Sequence, residues 1–96
     1  MSSEETYEVI RRYFNDKPVK KVQVFGSFAR NEYNEDSDID LILTMEHPIG
    51  LIKLAGYKFE LQDILNREVD LATEPAISNE FRKLIEKDIT TLYERS

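Results

Sequence analysis

Between Asp38 and Ile42 the chain alternates acidic and apolar side chains, and this short run limits the possible fold more than any other part of the sequence. A period of two belongs to a β-strand, so Ile39 and Leu41 face a core while Asp38 and Asp40, with Ile42 beyond them, share the other face. Two carboxylates about 4 Å apart repel by roughly 4 kcal/mol at an effective dielectric of 20. That repulsion is relieved only by a proton or a cation. The run Glu68-Val69-Asp70-Leu71-Ala72 repeats the alternation, and Asp70 completes an acidic trio if its strand lies beside the first. Three converging carboxylates suit magnesium that also binds substrate phosphates. The sequence has no cysteine, which removes thiolate sites and favours magnesium or manganese over zinc.

The rest of the chain supplies helices for these strands. Ser3 is expected to cap a first helix, with Glu4 and Glu5 in its opening turn, Tyr7, Ile10 and Phe14 on one face, and Asn15, Asp16 and Pro18 ending it. Val22, Val24 and Phe25 read as a short strand closing at Gly26. After Pro48, Leu51, Leu54, Tyr57, Leu61, Ile64 and Leu65 recur at helical spacing, which predicts a helix from about Gly50 to Leu65. Gly56 inside it costs about 1 kcal/mol of helix propensity, and Asn66 is suited to the left-handed conformation that ends a helix. A last helix from Ser78 to about Lys87 is expected to bury Ile77, Phe81, Leu84 and Ile85 and to lead into a tail containing Leu92 and Tyr93. The expected fold class is a small α/β or α+β sheet with helices mainly on one face.

A length of 96 residues allows one compact domain, and nothing in the sequence marks a second, so residues 1–96 are expected to form a single unit. With 41% hydrophobic and 33% charged residues the chain has the balance of a folded domain. Its net charge of -6 provides no general attraction to nucleic acid or anionic lipid. No apolar run approaches the roughly 20 residues that span a bilayer. The start Met1-Ser2-Ser3-Glu4-Glu5 is acidic, unlike a signal peptide, and a cytoplasmic location follows by default.

Upstream of the acidic strand, Gly26-Ser27 opens the run Phe28-Ala29-Arg30. Backbone N–H groups and the Ser27 hydroxyl at a helix start favour a phosphate. Gly26 permits close backbone approach to a ligand. Arg30 either adds charge for a triphosphate or anchors the following loop, and the anchoring role carries more weight.

Together, Gly26-Ser27-Phe28-Ala29-Arg30, a short spacer, Ser37-Asp38-Ile39-Asp40-Leu41 and the later Glu68-Val69-Asp70-Leu71 closely resemble the signature of the minimal nucleotidyltransferases of the DNA polymerase β superfamily. An Asp-x-Asp alone is a weak signal, but with Gly-Ser before it and Val-Asp-Leu after it the match is specific and covers nearly the whole chain. The resemblance implies the polymerase β-like nucleotidyltransferase fold. It also implies that Gly26 and Ser27 hold a triphosphate, that Arg30 and Ser37 are further nucleotide-binding candidates, and that Asp38 and Asp40 bind metal. Asp70 would bind a second metal and help deprotonate the attacking hydroxyl, with two magnesium ions as cofactors and ATP as substrate. Where the family usually has glycine this chain has Asn31 and Asn66, the next most tolerant residue for left-handed backbone.

An isolated Asp-x-Asp is ordinarily a solvated pair, and only the combined motif outweighs that reading. Ser27 serves equally as a helix cap. His47 reads as a surface residue with no role, Glu35 and Asp36 as a solvated loop, and Tyr7, Phe14, Phe59 and Phe81 as core or interface aromatics.

The leading functional expectation is transfer of AMP from ATP to a hydroxyl acceptor. In the family resembled, small stand-alone members are often paired with a HEPN-domain protein as antitoxin and toxin, the nucleotidyltransferase adenylylating a tyrosine of the HEPN ribonuclease. A short chain suits that role, since a protein acceptor brings its own binding surface. The alternatives are an antitoxin subunit acting by contact alone, and transfer to a small molecule or an RNA end. Self-association is left open.

Overall fold

The computed structural model describes residues 2–26 and 38–95. Ser27, Arg30 and Ser37, together with Phe28, Ala29, Asn31, Glu35 and Asp36, lie outside the described residues.

Helix α1 spans Ser3–Phe14, and its cap is Ser2 rather than the expected Ser3. The reason is reciprocity: the Ser2 hydroxyl accepts from the Glu5 N–H at 3.2 Å, while the Ser2 N–H donates to the Glu5 carboxylate at 3.3 Å. A cap one residue later would place Thr6, which has no carboxylate, at the answering position.

Four strands form one sheet in the order β3-β2-β1-β4. Strand β1 (Val19–Phe25) pairs antiparallel with β2 (Ile39–Met45) and with β4 (Thr90–Glu94). Strand β3 (Val69–Thr73) runs parallel to β2, as it can because helix α2 (Leu51–Leu65) carries the chain back between them. Strand β4 lies in the segment expected to be a tail containing Leu92 and Tyr93, and its Leu92 is buried.

Ile10 and Phe14 from α1, Tyr57, Leu61 and Leu65 from α2, and the inward residues Val22, Val24, Ile39, Leu41, Leu43, Val69 and Leu92 close into one core. The two long helices therefore cover one face of the sheet. Phe14 and Tyr57 meet edge to face at 6.1 Å where the helices touch.

Helix α2 is continuous through Gly56, but its buried stripe is narrower than the spacing predicts. Tyr57, Leu61 and Leu65, four residues apart, are buried, whereas Leu51 (84% exposed) and Ile64 (52%) are not. Ile52 and Phe59 also stand in solvent, leaving α2 with an uncovered apolar side. Asn66 ends the helix in the left-handed conformation, φ 53° and ψ 47°, as expected.

Helix α3 runs only over Asn79–Ile85 with Ser78 as its cap, and a single 3-10 turn over Glu86–Asp88 follows. None of Ile77, Phe81, Leu84 and Ile85 is buried as expected, and Leu84 is 78% exposed. The helix lies apart from the main core. Its Phe81 meets Phe25, on the outward face of β1, at 5.7 Å. No helix among the described residues is long and apolar enough to cross a membrane.

Candidate active site

The register of the sheet decides which of the acidic residues meet. Asp40 stands opposite Phe25 on one side and opposite Asp70 on the other. Because β2 and β3 are parallel and in register, the Asp40 and Asp70 backbones sit about 4.8 Å apart and both side chains leave the face opposite the core. Asp38 immediately precedes β2, on the same side by alternation. The three residues expected to cluster thus converge at one end of two adjacent strands. Among the described residues, no group of three or more acidic or histidine side chains is drawn together tightly enough to hold a metal ion as it stands.

Local contacts fix this end of the sheet. The Asn66 N–H donates back to the Gln62 carbonyl, and the Gln62 side-chain oxygen accepts from the Val69 N–H at 3.1 Å. The Ile39 N–H donates to the Glu68 carbonyl at 3.0 Å, so pairing of β2 with β3 begins one residue before each aspartate. The left-handed turn at Asn66 therefore sets the register that places Asp70 beside Asp40.

Asp40 is half-buried, while Asp38 and Asp70 are exposed. Burial, then the charges of Asp70 and Asp38, then a hydrogen bond with Asp70, push the Asp40 carboxyl above its ordinary range. The site thus crowds negative charge around its most desolvated member, and all its ligand atoms are hard oxygens. A divalent cation would relieve that crowding, so the donor chemistry suits such an ion although the three carboxylates are not gathered into a ligand set as they stand.

Gly26 has a role here that its sequence context did not reveal. It adopts φ +82°, and a Cβ at this position would stand 3.2 Å from Oδ2 of Asp40. The residue leaves the Asp40 carboxylate its space, whatever it does for a nucleotide.

Two further contacts escaped sequence reasoning. Lys58 of α2 brings its ammonium to 3.6 Å from Oδ1 of Asp70, although nothing in a helical repeat announces a charge reaching another element. Glu74, just after β3, accepts from the Thr44 hydroxyl at 2.9 Å and from Arg82 at 2.7 Å, which ties α3 to the ends of β2 and β3. Beside Glu74 lies a cavity of about 410 Å³ lined by Thr44, Met45, His47, Pro48, Ile49 and Pro75 among others. It sits five strand residues from Asp40, about 16 Å away, so it is not part of the acidic site. His47 is exposed and its Nδ1 lies 3.2 Å from the neighbouring Pro48 carbonyl oxygen, in keeping with a surface residue.

Comparison with known proteins adds to this geometry. The family described as nucleotidyltransferase domain matches residues 7–93. A Methanocaldococcus jannaschii protein, assigned by inference as a protein adenylyltransferase, is 39% identical over 90 residues, or 88% of this chain and 92% of its own. A crystal structure of a toxin-antitoxin with AMP-PNP superposes with a TM-score of 0.82 at 18% identity, over 94% of this chain and 74% of that one. A tri-AMPylated Shewanella oneidensis HEPN toxin in complex with MNT antitoxin gives 0.78 at 17% identity, over 97% and 73%. At such identities the structural likeness speaks to the fold.

Proposed function

The chain belongs to the nucleotidyltransferase domain family, and on that footing we propose that it transfers AMP from ATP to a hydroxyl group of a partner protein. The observation that carries this reading is the register setting Asp40 beside Asp70, with Asp38 next to them, on the face of the sheet opposite the core. Asp38 and Asp40 hold magnesium, and Asp70 contributes to a second ion. Magnesium, when bound, neutralises the crowded carboxylates and the charge on the transferred phosphate.

The chain's own residues do the rest. Gly26, Ser27, Arg30 and Ser37 are the proposed nucleotide contacts. The acceptor oxygen attacks the α-phosphorus, a new P–O bond forms, the bond to the β-phosphate oxygen breaks and pyrophosphate leaves. Asp70 is the most exposed carboxylate of the strand pair, at 62% of its side chain, and receives the proton of the attacking hydroxyl. Positioning of the reactants accounts for much of the rate.

A protein acceptor is supported on two grounds. The Methanocaldococcus relative is assigned by inference as a protein adenylyltransferase, and the two solved structures of like fold are complexes of an antitoxin with a toxin. The chain also leaves Leu51, Ile52 and Phe59 of α2 exposed, apolar area suited to a protein surface. We therefore favour a HEPN-type partner, an antitoxin role and, since ATP is the substrate, the cytoplasm. The same apolar side of α2 would serve a contact-only antitoxin, which is the competing reading.

Thermal melts test the site. Magnesium and ATP together should stabilise the protein more than either does alone, and saturation at 100 times the dissociation constant corresponds to about 2.7 kcal/mol over the unliganded state. Asp38→Asn should remove most of that joint shift. An unchanged ATP response in this variant would place nucleotide binding elsewhere.

A further inference from the structure

Lys58 stands on a stretch of α2 whose backbone the core holds in place. Its neighbour Tyr57 is buried in the core, as is Leu61 one turn on, so the helix face that carries Lys58 is fixed against the sheet. From there the side chain reaches the edge strand β3 and brings its ammonium to 3.6 Å from Oδ1 of Asp70. The lysine side chain is 35% exposed and that of Asp70 62%. An ammonium so placed neutralises part of the charge that a divalent ion bound by Asp70 would use, and its own charge repels that ion at the same short range.

We infer that Lys58 is a positioning residue that occupies Asp70 in the metal-free protein and gives way when the ion arrives. The inference rests on the proposal that Asp70 binds metal. Its consequence is a coupling between the two ligands. A free divalent cation must displace the lysine without compensation, whereas an ion arriving with a triphosphate brings negative charge that can take up the released ammonium. The site would then load its second ion with the nucleotide rather than before it.

Manganese is a suitable probe, its binding to the nucleotide-free protein being measured by calorimetry and by electron paramagnetic resonance. Lys58→Met should bind manganese about two- to fivefold more tightly than wild type, the range that an exposed ion pair allows. Lys58→Arg, which keeps the charge, should stay near wild type. Asp70→Asn should weaken binding, and Lys58→Met added to it should gain less than it gains alone. A purely structural lysine would alter the melting temperature without tightening manganese. Unchanged or weaker manganese binding in Lys58→Met, alongside the expected loss in Asp70→Asn, overturns the competition. If Asp70→Asn leaves manganese affinity untouched, the metal assignment of Asp70 has failed and the inference falls with it.

Discussion

Gly26 and Asp40 are in close approach: the missing Cβ of the glycine would lie 3.2 Å from Oδ2 of the aspartate. The glycine also holds φ +82°, a conformation that costs a residue with a side chain about 1–2 kcal/mol. Gly26→Ala should therefore destabilise the protein by about that amount. It should also displace Asp40 and weaken the joint magnesium and ATP response in thermal melts. An alanine variant with wild-type stability and ligand response would show that neither the backbone conformation nor the approach matters.

Asp40 gives a pH signature. Burial, with the charges of Asp70 and Asp38, raises its carboxyl above the ordinary value of 3.8. A carboxyl raised on folding stabilises the native state when protonated, so its contribution is present below the unfolded value and lost as pH rises through the folded one. Metal-free Asp40→Asn should be more stable than wild type at neutral pH, by less than about 1 kcal/mol because a half-exposed group is screened. The gap should close as pH falls towards 3.8. Urea unfolding in EDTA at several pH values measures it, and a gap that grows on acidification would contradict the account.

Ser2→Ala supplies a control remote from the site. It removes the hydroxyl that accepts from Glu5 at 3.2 Å and should cost about 0.5–2 kcal/mol. Nucleotide binding should be unaffected. Stability equal to wild type would mean that the reciprocal cap contributes nothing in solution.

The parts of the fold written in local patterns were legible in the sequence. Alternation around Asp38 to Leu43 and around Val69 to Leu71 identified two strands, and asparagine's tolerance of left-handed backbone placed the end of α2 at Asn66. Pairing is not local information, and that explains the largest omission. Strand β4 alternates too weakly to announce itself, with Leu92 alone buried, and it becomes a strand because β1 offers it an edge. The apolar residues of α3 differ for the opposite reason: spacing shows that a helix has an apolar side, but not that another element covers it. At the site, the residue types and the facing of the aspartates could be read directly. The Lys58 contact and the space kept open by Gly26 could not, since both depend on how separate elements are set in three dimensions.

Leu92→Ala tests whether that unforeseen strand is part of the fold. The residue is 5% exposed, and truncating a buried leucine costs about 2–5 kcal/mol. A loss well below 1 kcal/mol would mean that β4 is dispensable.

In the proposed function, the acidic end of β2 and β3 transfers AMP to a protein, with Asp70 taking the proton of the attacking hydroxyl. Intact-mass spectrometry of a HEPN-type partner, co-expressed with either wild type or Asp70→Asn, tests it most directly. Wild type should add AMP in steps of about 329 Da. Asp70→Asn should add none while still binding ATP, because a contact made in the transition state affects turnover more than ground-state affinity. Neutralisation of the partner by both proteins, with no added mass in either case, would contradict the enzyme and leave an antitoxin that acts by contact.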